Sequence, residues 1–116
     1  MTWAAAVLLA LAGHAGITVS PPGEAHVDAW IRVPGTVRIE PGERRPVRLQ
    51  ERTDGEWHVM DRARSRRAGR FVLVMRSGPI PHERTLRVVA PRAGALPRAA
   101  TRPFRVGVHV DVPDST

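Results

Sequence analysis

The run Asp61 to Arg70 (DRARSRRAGR) is the part of this chain best equipped to hold a ligand. Arg62, Arg64, Arg66, Arg67 and Arg70 stand there against one aspartate, a net charge of +4 in ten residues. Guanidinium forks bind phosphate bidentately, so a mobile loop of this composition suits teichoic-type polymers, anionic lipid headgroups or nucleic acid. The competing explanation is a solvated loop enriched in arginine by base composition. All 18 basic residues are arginine, whereas lysine, asparagine and tyrosine, whose codons are AT-rich, are absent. The overall formal charge of +7 is discounted for the same reason. No aromatic residue interleaves with these arginines, so bases have nothing to stack on. Generic polyanion adhesion is therefore favoured over nucleic acid.

The other reactive side chains do not assemble into a site. There is no cysteine, hence no disulfide framework and no thiolate metal ligand. Ser20, Ser65, Ser77 and Ser115 fall in turns, loops or the tail, and none has a nucleophile-elbow context. His26, His58, His82 and His109 are scattered. His58 and His109 share the wet phase of their strands, which allows them to lie near each other. Glu40 and Glu43, like Asp54 and Glu56, flank turns and read as turn formers and solubilising charges. Glycines occur singly at turns, with no phosphate-cradling loop. The expectation is no catalytic residue, no metal site and no cofactor. Trp30 lies on the polar phase beside Asp28 and Arg32. Exposed there it would stack on a sugar ring or anchor a partner; a register shift near Pro34-Gly35 would bury it instead.

The elements that must position these residues are strands. Apolar residues alternate over Val27, Ala29, Ile31 and Val33, over Val47 and Leu49, and from Phe104 to Val112. Period two means sheets with one dry face and one wet face. Candidate strands are Ile17–Ser20, His26–Val33, Thr36–Glu40, Pro46–Arg52, Glu56–Met60, Arg70–Arg76, Arg84–Ala90 and Phe104–Val112. Pro34-Gly35 suggests a bulge or bend, and Asp54-Gly55 a type I′ hairpin. Trp57 shares phase with Val59 and is expected in the core, where its replacement by alanine costs about 3–5 kcal/mol. Arg70–Arg76 is apolar on both faces, which suggests a central strand or one beneath a loop. Otherwise Val72 and Val74 are free to line an interface and the last strand to form an open edge. With the stretches either side of Pro34-Gly35 taken as one interrupted strand, about seven strands at roughly ten-residue spacing, and no convincing helix after residue 15, predict a single all-β domain, a β-sandwich.

Ala4 to Ala12 (AAAVLLALA), followed by Gly13-His14-Ala15, suits the helical apolar stretch of a signal peptide. It is too short for a stable transmembrane span. Met1-Thr2-Trp3 lacks the usual positive charge. An uncleaved anchor or a buried N-terminal segment are the alternatives. The expected organisation is a signal peptide over 1–15, the sandwich over 16–112 and a frayed tail over 113–116, in a secreted or cell-surface protein.

Pro46-Val47-Arg48-Leu49-Gln50, Trp57 after the Asp-Gly turn, Gly69-Arg70-Phe71 and Leu86-Arg87-Val88-Val89-Ala90-Pro91 form an ordered set. It resembles the immunoglobulin-like β-sandwich modules of secreted and surface proteins from high-GC Gram-positive bacteria. The resemblance spans about Ile17 to Val112, with Leu86 standing where an aromatic is usual. It implies an Ig-like or fibronectin-like antiparallel sandwich acting as a non-catalytic spacer or adhesion unit. Envelope polymer or another protein would be its partner. The modules share no catalytic residues.

Overall fold

The computed structural model describes residues 16–110; the segment expected to direct export and the C-terminal tail lie outside them. Among the described residues nine strands occur in this order: β1 (Ile17–Val19), β2 (Glu24–His26), β3 (Trp30–Val37), β4 (Pro46–Thr53), β5 (Glu56–Arg64), β6 (Arg70–Arg76), β7 (His82–Ala90), β8 (Ala99–Ala100) and β9 (Phe104–His109). The described residues contain no helix. One sheet has the order β1-β3-β6; the other has the order β2-β9-β7-β4-β5, with β8 also paired to β7. All pairings are antiparallel except β2 with β9.

Both sheets feed one apolar core, as a β-sandwich requires. Ile17, Val19, Ile31, Val33, Leu73 and Met75 come from the first sheet, and Val47, Leu49, Leu86, Val88, Val106 and Val108 from the second. Each set occupies alternate positions of its strand, so the alternation legible in the sequence is the alternation of burial. The Asp54-Gly55 hairpin forms as expected between Thr53 and Glu56, with both turn residues at positive φ (53° and 81°), the signature of type I′.

Other local expectations are revised. The stretch His26–Val33 is two strands. Asp28 adopts φ 53°, and the chain leaves one sheet after β2 and enters the other at β3. Pro34-Gly35 makes no bulge; β3 pairs continuously with β6 through Pro34↔Val72 and Gly35↔Phe71. The carbonyl of Pro34 accepts the Ser20 N–H at 2.9 Å, so the missing proline N–H faces the side where β1 has just ended and no ladder bond to β6 is lost. Gly35 is required by packing. A Cβ there would meet the Thr18 carbonyl and lie 2.6 Å from the Phe71 ring.

The bulge lies in β5 instead. Leu49 pairs with Asp61 but Gln50 pairs with Val59, leaving Met60 as the extra residue. Cross-strand partners share a face. Trp57 and Val59 therefore stand opposite Arg52 and Gln50 on the outer face, while Ala63 stays opposite Val47 on the inner one. Trp57 is accordingly half-buried and outside the core cluster, which overturns its expected core position. β6 is an edge of its sheet rather than a central strand, with Val72 43% exposed. β9 lies between β2 and β7 and is no open edge.

Candidate functional site

The arginine-rich run is more ordered than a mobile loop. Arg62 and Arg64 belong to β5, and Arg70 begins β6. Only Ser65–Gly69 turns, closed by the Gly69 N–H to the Arg66 carbonyl at 2.8 Å and the Arg66 N–H to the Arg70 carbonyl at 2.7 Å. Gly69 sits at φ 88° with its α-carbon against the Val37 carbonyl, a conformation and a fit that only glycine meets without strain. Ser65 is buried. Its hydroxyl accepts the Arg45 N–H at 3.0 Å and its N–H donates to the Arg45 carbonyl at 2.9 Å.

This turn places Arg64, Arg66 and Arg70 on one open groove of about 610 Å³. Thr18, Ser20 and Thr36 add hydroxyls, and Pro34, Phe71 and Val72 supply apolar surface. Among the described residues no carboxylate lines the groove. Thr18 and Thr36 are cross-strand partners whose hydroxyls lie 2.8 Å apart, and Thr36 is opposite Arg70 on β6. Of the other predicted residues, Arg62 pairs with Arg48 across β4 and β5, away from the groove, and Arg67 is exposed in the turn without lining it.

Trp30 joins the same sheet face. Along β3, Trp30, Arg32, Pro34 and Thr36 point outward opposite Arg76, Val74, Val72 and Arg70. Trp30 is 60% exposed, and the Arg76 guanidinium lies 5.1 Å from its ring centroid while donating to the Asp28 carbonyl at 2.8 Å. About 20 Å separates Trp30 from Thr36 along the strand, at roughly 3.4 Å per residue. The face thus carries a tryptophan at one end, basic groups and hydroxyls at the other, and Pro34, Val72 and Val74 between.

Several carboxylates are engaged elsewhere. Glu51 and Arg84 form a buried bidentate pair at 2.5 and 2.6 Å. Glu83 pairs with Arg105 at 3.5 Å and Glu24 with His109 at 3.2 Å. Asp61 accepts the Val74 N–H at 2.8 Å, occupying a donor on the open edge of β6. The groove is therefore a positive surface with no internal counter-charge among its lining residues.

The groups with nucleophilic or metal-ligating potential are held otherwise. The buried Ser77 hydroxyl donates to the His26 carbonyl at 2.5 Å and accepts the Ala29 N–H at 3.0 Å, tying the β2–β3 turn to the end of β6. His109 packs edge-on against His26 with centroids 4.9 Å apart. His58 is on β5, three strands away in the sheet, so the expected proximity of His58 and His109 is not realised. Among the described residues no group of three or more His, Asp or Glu side chains is placed to hold a metal ion.

Sequence reasoning missed two features. Arg45 is 3% exposed, and its guanidinium donates to the carbonyls of Arg38 (3.0 Å), Pro91 (3.1 Å) and Pro97 (2.6 Å). Burial lowers its pKa from the ordinary guanidinium value. Arg87 stacks 4.2 Å from the Trp57 ring centroid and donates to Gln50 Oε1 at 2.7 Å. Its pKa is lowered by burial and then by the neighbouring Arg98. Neither residue had a signal that set it apart from sixteen other arginines. No protein-family model matches the chain, and a search of curated proteins finds no match either.

Proposed function

We propose that this chain is an exported, non-catalytic Ig-like module that adheres to an anionic polymer of the cell envelope through the Arg64–Arg66–Arg70 groove. The observation that carries this reading is the convergence of three arginines and three hydroxyl-bearing residues on one groove that no carboxylate among the described residues lines. Guanidinium forks match phosphate and carboxylate oxygens, and hydroxyls suit the polar groups of a polymer backbone. The Ig-like part rests on strand order. The early strands β1 and β3 neighbour β6 in one sheet, while β4, β7 and β9 form the heart of the other, as in immunoglobulin sandwiches. Export rests on the apolar segment Ala4 to Ala12 alone.

The test is salt-dependent retention on an immobilised sulfated or phosphorylated polymer. Replacing Arg64, Arg66 and Arg70 together by Gln should shift elution to lower salt, whereas Arg67→Gln should move it less. Retention unaffected by the triple replacement would remove the reading. A protein partner on the same face is the second reading, favoured by the exposure of Trp30 and Val72 (60% and 43%). Pull-down lost on Trp30→Ala and Val72→Ser, with polymer retention intact, would favour it.

A further inference from the structure

The outer face of the larger sheet carries a second, independent concentration of positive charge. Arg48 and Arg62 are direct cross-strand partners on β4 and β5. Arg87, opposite Gln50 on the other side of β4, lies on the same face. Arg98 is close enough to lower the pKa of Arg87. Like charges directly opposite one another destabilise a sheet, and no carboxylate forms an ion pair with any of these four among the described residues. Toward the far side of the sheet, Glu83 and Glu24 are already paired with Arg105 and His109. Glu56 sits at the hairpin end opposite Thr53.

β5 joins this face to the groove. It is the terminal strand of its sheet. Arg62 faces Arg48, whereas Arg64, two residues on, lines the groove. The two α-carbons are about 6.8 Å apart along the strand. Positive charge therefore runs from Arg70, Arg66 and Arg64 around the β5 edge to Arg62, Arg48 and Arg87, with one carboxylate beside it, Asp61, already bonded to the Val74 N–H. A small anion can use only one part of such a band; a linear polyanion can use all of it.

We infer that a single anionic glycan chain binds across both faces, bending around the β5 edge from the groove to the Arg48–Arg62–Arg87 surface. This inference rests on the polyanion reading of the groove and extends it to the length and class of the ligand. A glycan fits better than a nucleic acid. The rings of Trp30 and Trp57 are each covered by a guanidinium, at 5.1 and 4.2 Å, and are poor platforms for successive bases. Thr18, Ser20 and Thr36 and the Gln50 amide offer hydrogen-bonding partners for sugar hydroxyls.

The test uses the full chain with three probes: a sulfated disaccharide, a long sulfated glycan of the same repeat, and single-stranded DNA matched in charge to the long glycan. The long glycan should bind at least about tenfold tighter than the disaccharide, because the second face is engaged at high effective concentration. Arg48→Gln, Arg62→Gln and Arg98→Gln together should abolish that gain and lower the salt slope by about two to three. Disaccharide binding at the groove should remain. A thermal midpoint of this variant at or above that of the parent, as expected when the Arg48–Arg62 repulsion is relieved on the solvent face, shows that it is folded. Equal affinity of the variant and the parent for the long glycan overturns the inference while the groove reading stands. Binding indifferent to this set and to the groove set overturns both. DNA binding as tight as the long glycan overturns the choice of glycan.

Discussion

Arg48 and Arg62 face each other across β4 and β5, two guanidinium side chains in direct register on the solvent side of the sheet. The pairing opposes stability, because like charges directly opposite repel. Replacing Arg62 by Glu should therefore stabilise the fold by about 0.2–1 kcal/mol, read from urea unfolding, while lowering retention on a polyanion matrix. A destabilised Arg62→Glu variant would show that the pair does not repel.

Trp57→Ala should cost about 1–2 kcal/mol, below the 3–5 kcal/mol typical of a core tryptophan. The bulge at Met60 turns the ring to the outer face, where it loses mainly half-buried area and the stack with Arg87. Equilibrium denaturation measures it. A loss above about 3 kcal/mol would put the ring in the core.

Glu51→Ala should cost about 3–5 kcal/mol, since it leaves a buried guanidinium without its carboxylate. Both side chains are nearly enclosed, at 10% and 11% exposure. The double replacement Glu51→Leu with Arg84→Met should recover much of that loss, because the desolvated charges disappear together. A double variant as unstable as the single one would refute this account.

Arg45→Met should cost about 2–4 kcal/mol by stranding the carbonyls of Arg38, Pro91 and Pro97. Hydrogen exchange should quicken in the β7–β8 connection. The lowered pKa of Arg45 means that the unfolded chain holds this proton to higher pH than the folded one. Stability through this group rises with pH only in the strongly alkaline range between the two values. The difference between parent and variant should thus be flat from weakly acidic to weakly alkaline pH.

Gly69→Ala should cost about 1–3 kcal/mol through its positive φ and the clash of a Cβ with the Val37 carbonyl. Because this turn positions Arg66 and Arg70, polymer retention should fall as well. Thermal unfolding and salt elution of the same preparation test both effects. Retention unchanged in a destabilised variant would separate the turn from the groove.

The fold class and most of the core were legible in the residues. Ile31 and Val33, Val47 and Leu49, and Val106 and Val108 alternate in the sequence and are buried in alternation, because a pleated strand with one dry face admits no other pattern. The Asp54-Gly55 turn was equally legible, since its backbone demands those residue types. The candidate site was legible only as a run of arginines and a tryptophan on the wet phase.

What the sequence by itself determined is the alternation within each unbroken strand, because odd and even positions of a strand go to opposite faces. Which side chains meet was decided only by the tertiary structure. One unpaired residue at Met60 turned Trp57 outward, and the choice of strand neighbours placed Arg70 beside Thr36 and Arg62 beside Arg48. Local period is set within a few residues. Pairing partners are set by how two whole sheets close over a common core, and no short stretch of chain encodes that.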